Sequence, residues 1–352
     1  MRRIPKVRKT SSVRPHARPV TSNRLPQLDR RDPTLRWLLD STEPAIRAMA
    51  LADLLDAGPG SKELTRAQSR IMQDPKVRTL LRGQRPNGGF GGGSPYQKWH
   101  GVHWRLVALV ELGVPPGEKR SLAAANNELD WMTRRTRSPS CEKKARYWIV
   151  HASMDGNALA TASRLGMAGD PRARMITERL IVWQRPDGGW NCDPRPGASH
   201  SSFHESLASA WGLSEYGKAT GSTAARRAAS EAVELFLTHR IFRSHRTGDI
   251  IRAEWLRPHY PPYWHYDLFQ ALLVVARCGR ARDSRAAEAL DIMERAMGDD
   301  GRWTPVKPYW RLASDPSNVP VEVVDWGRGR PSKLLTLNCM RILKAAGRLA
   351  RR

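Results

Sequence analysis

The chain has 352 residues, enough for one large domain or two ordinary ones, and 40% of them are apolar, enough to build a core. Its longest uninterrupted apolar run, Ala271 to Ala276, is six residues, which excludes a membrane-spanning helix of about 20. The formal charge is +25, and the four cysteines lie far apart with no Cys-x-x-Cys pair, so a reduced, cytoplasmic chain without a disulfide framework is expected.

The basic start Met1-Arg2-Arg3 is not followed by an apolar stretch, so a secretory signal is not expected. Residues 1–31 carry ten basic side chains against one acid, Asp29, with four prolines and almost no periodic apolar residues. This composition predicts a disordered basic tail ahead of a single domain over 32–352. Such a tail is either simply solvated or rests on an anionic membrane surface, making the protein peripheral to it; nucleic acid is not the expected partner.

From Thr34 onward the apolar period is helical. Ala- and Leu-rich stretches that read as buried helices begin near Pro44, His100, Gly156, His200, His265 and Ser332. Five of them end at Gly58, Gly113, Gly166, Gly217 and Gly279, where glycine supplies a left-handed cap. More charged, amphipathic stretches alternate with them: Thr34–Leu39, Leu64–Leu81, Ala123–Met132, Pro171–Val182, Ala224–Leu237 and Arg285–Ala296. Val319–Val324 is the best strand candidate and reads as a loop. Three similar turns punctuate the series: Gln84 to Phe90, Gln184 to Trp190, and Asp299 to Trp303. In each, glycine allows a tight turn and an aromatic packs back on the helix it leaves. Inner apolar helices alternating with outer amphipathic ones predict an all-α solenoid, and six such hairpins can close into an (α/α)6 toroid around a central cavity.

The segment Gln184 to Trp190 resembles the Q-W repeat of squalene–hopene and oxidosqualene cyclases, and Asn191 to Leu213, with Ser202-Phe203-His204-Glu205, resembles the helix that follows it. The chain is thus similar to the superfamily of triterpene cyclases and protein prenyltransferase β-subunits. That resemblance implies a toroid over Trp37 to Leu349 and an apolar isoprenoid ligand. A repeat motif marks scaffold rather than chemistry, and the departures are large. No Asp-x-Asp-Asp and no Asp-x-Cys occurs. The chain is also about half the length of a triterpene cyclase. Aligning Ser202-Phe203 with the family's Ser-Phe puts His200 where the prenyltransferase zinc-binding cysteine stands and His265 where its histidine stands. The implied function is a non-standard isoprenoid-acting enzyme. The alternatives are a non-catalytic toroid that binds an apolar ligand or a partner protein, and a metal-dependent enzyme on another substrate.

The candidate site residues follow from chemistry at the starts of the inner helices. His200 and His204 are four apart and share a helical face. Cys192, His200 and His265 are candidate ligands for zinc or another divalent ion. Glu205 and Asp267 are candidate acids, with His103 and His204 as proton partners; the competing reading makes the carboxylates helix N-terminal caps. Tyr260, Trp264, Tyr266 and Phe269 are candidates for an aromatic wall able to stabilise a carbocation. Arg246, in the long basic segment before His259, is the candidate for a diphosphate head.

Overall fold

Short caps and helical apolar spacing divide the chain into helices, seen in a computed structural model that describes residues 28–135, 142–144, 147–195 and 197–349. Among these are α1 (Pro33–Leu39), α2 (Pro44–Met49) with a π-helical turn at Ala50–Leu54, α3 (Lys62–Gln68), α4 (Pro75–Leu81), α5 (Val102–Glu111), α6 (Lys119–Arg135) and α7 (Ala152–Arg164). There follow α8 (Pro171–Trp183), α9 (Phe203–Thr220), α10 (Thr223–Thr238), α11 (Leu268–Arg277), α12 (Ala287–Arg295) and α13 (Lys333–Ala346). Asp32, Ser61, Asp74, Asp170, Ser202, Ser222, Asp267 and Ser332 each cap a helix, accepting a backbone N–H of its first turn.

Among the described residues the protein is all-α but for one antiparallel ribbon, β1 (Glu142–Lys144) with β2 (Tyr147–Ile149), in register Glu142 opposite Ile149. This ribbon is absent from the sequence expectation, whereas Val321 makes only an isolated bridge with Arg311, as a loop does. The apolar helices pack in succession. α5 lies on α7, α7 on α9, α9 on α11 and α11 on α13, which returns to α2 and its π-turn. α6, α8, α10 and α12 pack against the members of this series. One connected cluster of buried apolar side chains runs from Leu35 to Leu343.

Several expected boundaries move. α7 begins at Ala152, ahead of Gly156, and the first inner stretch ends at Leu54 without a left-handed glycine at Gly58. Leu64–Leu81 is two helices rather than one: α3 ends at Gln68, a 3-10 turn follows at Ile71–Gln73, and Asp74 caps α4 with Pro75 in its first turn. Gly217 lies inside α9, against Arg226 of α10, and the left-handed cap is Gly221 at φ +76°. The basic residues up to 27 lie outside the described residues.

The repeat turns are staples. Gln184 Nε2 donates to Gly188 O at 2.8 Å within the turn and to Ala228 O at 2.9 Å on α10. Gln84 does the same to Gly88 O and to Arg120 O on α6. The buried Trp190 and Trp303 donate to Leu180 O and Met293 O of the helices they follow. Each turn is therefore bonded to the outer helix it leaves or to a neighbouring helix.

Candidate functional site

The starts of α9 and α11, the middle of α5 and the segment 260–265 enclose a cavity of about 100 Å³. Its wall is aromatic: Trp104 and Trp211 come from α5 and α9, and Tyr260, Tyr263, Trp264 and Trp326 from loops. The segment 260–265 lies across it as a strap. Tyr263 stacks on Trp99 at 3.8 Å, Trp264 on His265 at 4.0 Å and His265 on Tyr309 at 3.5 Å, and Trp310 Nε1 donates to Tyr260 O. Two of the indoles, Trp104 and Trp211, are 3% and 5% exposed, and their N–H groups find no acceptor within the protein. A buried donor without an acceptor costs on the order of 1–3 kcal/mol.

The acid in this wall is Glu322, which is 4% exposed. Burial pushes its carboxyl above the ordinary glutamate range, although Tyr263, the Val323 and Val324 N–H groups and Trp326 pull the other way. Tyr263 Oη donates to Oε2 at 2.5 Å, and Val323 N–H donates to Oε1 at 2.6 Å. The cavity also meets the pair Glu111–Arg277, joined by two bonds of 2.8 Å from one guanidinium nitrogen. Burial would raise the Glu111 pKa, but Arg277 and Arg164 hold it below the usual value. Glu322 and Glu111 thus form two carboxyls with opposite tendencies, one toward the acid and one toward the anion.

Of the sequence candidates, Tyr260, Trp264, His204 and His265 line this cavity. Burial holds the His204 pKa below the usual histidine value. Its Nδ1 lies 3.0 Å from Tyr266 N, whose N–H donates to it, and 3.3 Å from Trp264 O. Burial lowers the His265 pKa to about 4, so its ring is neutral, with Nδ1 donating to Pro262 O.

The other candidates are placed elsewhere. Tyr266 is buried against Phe203 and Trp255 and donates to Ile241 O at 2.6 Å. Phe269 is buried in the main cluster. His103 is fully buried; Nδ1 donates to Glu128 Oε1 on α6 at 2.5 Å and Nε2 accepts from Asn157. Asp267 caps α11 through Gln270 N–H and accepts from His259 N–H. Arg246 lies in a separate, more open groove of about 850 Å³, with Arg252, His200, His239 and His245; His204 borders both spaces. Glu205 is buried, and its Oε2 accepts from Ser153 N–H at 2.8 Å. Burial would raise the Glu205 pKa, but His151 and Ser153 hold it below the ordinary value, the reverse of what a proton donor needs.

The metal candidates do not assemble as expected. His200 lines the groove and His265 the cavity. Cys192 instead meets His151 and Glu205. Burial first, then the neighbouring Glu205, pushes the Cys192 thiol up to about 12. Sequence reasoning missed Glu322, Glu111, Arg277 and His151. Glu322 sits in an irregular loop, where no periodicity marks it, and His151 precedes rather than opens an inner helix.

No protein-family model and no curated protein matches the chain. Among solved structures, it matches the apo type II terpene cyclase MstE from Scytonema at 14% identity and a TM-score of 0.28, over 78% of this chain and 96% of the other. A variant of that cyclase in complex with its substrate, geranylgeranyl dihydroxybenzoate, matches over the same shares at 14% identity and a TM-score of 0.27.

Proposed function

We propose that residues 32–352 form one (α/α)6 toroid, and that its cavity carries out acid-initiated chemistry on an isoprenoid that bears an oxygen function. The observation behind this reading is Glu322, a buried carboxyl biased toward its protonated form in an aromatic wall. A proton passing from Glu322 to an alkene carbon leaves a carbocation on the neighbouring carbon and a carboxylate on the protein. The carbocation is stabilised by the faces of Trp104, Trp211 and Trp264. The carboxylate is received by Tyr263 Oη and the Val323 N–H. Loss of a proton from the carbon next to the cation, back to Glu322, restores the acid. The unpaired indole N–H groups of Trp104 and Trp211 are the donors for the substrate oxygen. Glu205 and Asp267, the acids expected from sequence, are given capping and ligand roles here instead.

Cavity size sets how the substrate enters. A cavity of about 150 Å³ takes a benzene ring, so a space of about 100 Å³ holds one end of a chain. A longer substrate enters when the strap 260–265 swings aside, or through the His204 side. In the latter case an anionic head would rest in the groove with Arg246 and Arg252. The described helices contain none long and apolar enough to cross a membrane. In this proposal the basic residues 1–31 bring a cytoplasmic protein to the anionic surface where such lipids reside.

The test is to incubate the wild type and Glu322→Gln with squalene, prenyl alcohols, prenyl diphosphates and prenylated benzoates, and to analyse products by mass spectrometry. Conversion by the wild type with a loss of about 10²–10⁴-fold in Glu322→Gln supports the reading. A second reading, a binding protein for a small apolar ligand, is favoured by the small volume and by the donors that already occupy Glu322. Binding without turnover in both proteins would select it.

A further inference from the structure

A second cluster lies apart from Glu322, where the chain enters α7 and leaves the Gln184–Trp190 turn. Three side chains meet there: His151, Cys192 and Glu205, each offering one ligand atom, and these atoms lie within 4.8 Å of one another. We propose that they form a zinc(II) site with three protein ligands and an open fourth position.

The geometry fits an ion. His151 Nδ1 and Glu205 Oε1 are 3.6 Å apart, too far for a good hydrogen bond. Two ligands at about 2.0–2.1 Å from a tetrahedral zinc are separated by about 3.4 Å, close to the spacing seen. The backbone fixes this arrangement in advance. Val150 N–H donates to Asn191 O at 3.0 Å, holding the residue before His151 against the residue before Cys192. Ser153 N–H occupies Glu205 Oε2, leaving Oε1 to bind in monodentate fashion. Such an outer partner orients a metal-ligating carboxylate.

The donor set also selects the ion. Imidazole, thiolate and carboxylate together suit zinc, whereas magnesium and calcium take oxygen ligands. One thiolate and one carboxylate cancel the charge of a divalent ion, so the loaded site is neutral in a mostly buried setting. The His151 side chain is 50% exposed while that of Glu205 is 9% exposed, so the ion has a path from solvent and an outward face for water. Three protein ligands plus water is the composition of a catalytic rather than a purely structural zinc.

The experiment uses the full chain, stripped with a chelator and titrated separately with zinc(II) and cobalt(II). One ion is expected per chain, and the cobalt form should show a thiolate-to-metal charge-transfer band. Cys192→Ser should abolish that band. His151→Ala and Glu205→Gln should each weaken binding by about 10-fold or more, whereas His245→Ala, in the separate groove, should bind as the wild type does. Circular dichroism confirms that each variant is folded; if Cys192→Ser is not, the half-exposed His151→Ala decides by the same measurement. The proposal is overturned if the wild type binds no stoichiometric ion, if cobalt binds without the charge-transfer band, if the band survives Cys192→Ser, or if His151→Ala binds as tightly as the wild type.

Discussion

Tyr263 Oη lies 2.5 Å from Glu322 Oε2 and donates to it, which joins the strap across the cavity to the acid in its wall. Both residues lie in loops, 59 positions apart, and Tyr263 holds a left-handed backbone at φ +51°. Because the Tyr263 hydroxyl favours the Glu322 carboxylate, the strap and the protonation state of Glu322 are coupled.

That coupling has a sign. The Glu322 pKa in the fold lies above its ordinary value of 4.5, so its contribution to stability is complete below that pH and is lost as pH rises through the folded value. Urea unfolding between pH 4 and pH 8 should show this decline in the wild type. Glu322→Gln should flatten it, and Tyr263→Phe should move it to higher pH. An unchanged slope in Glu322→Gln would contradict the assignment.

His265 behaves in the opposite direction. Its folded pKa of about 4 lies below the ordinary 6.5, so stability is complete above 6.5 and falls as pH drops toward 4. Proton NMR of the imidazole should show no titration of His265 between pH 5.5 and 8. His265→Phe, which keeps the stack on Tyr309, should remove this part of the acid sensitivity.

Close contact between α7 and α9 rests on two glycines. A Cβ at Gly156 would stand 2.3 Å from the Ala208 carbonyl carbon, and one at Gly212 would stand 2.2 Å from Gly156 O. Backbone cannot yield cheaply, so Gly156→Ala and Gly212→Ala should each cost about 1–3 kcal/mol or more. At Gly169 an added Cβ meets nothing within 4 Å, and Gly169→Ala should stay within about 0.5 kcal/mol. Thermal unfolding of the three variants checks the contrast.

Gln184→Ala removes the two hydrogen bonds by which the turn holds Gly188 O and Ala228 O. At about 0.5–1.5 kcal/mol each, the expected loss is about 1–3 kcal/mol, measured by chemical denaturation. Gln184 itself lines neither the cavity nor the groove, so activity per folded molecule should change far less than stability.

The sequence by itself determined the helices, because the signals for them are local. Period, proline and cap residues act within a turn or two, so α1, α8 and α10 start and end, and α13 starts, within about two residues of where composition places them. The repeat turns were legible for the same reason: Gln184, Gly188 and Trp190 bond within the turn and to adjoining helices. Tertiary structure alone decided which polar groups meet. Glu322 faces Tyr263 because two irregular loops cross, and no spacing along the chain encodes that crossing. His151 meets Cys192 and Glu205 because the lead-in to α7 bonds to the turn after α8, which also carried Cys192 away from His200 and His265. His103, placed at an inner-helix start like His204, was turned by its register in α5 toward Glu128 rather than toward the cavity. A helix period says that a residue is buried; the neighbouring helix decides whether it is buried against a ligand space or against another side chain.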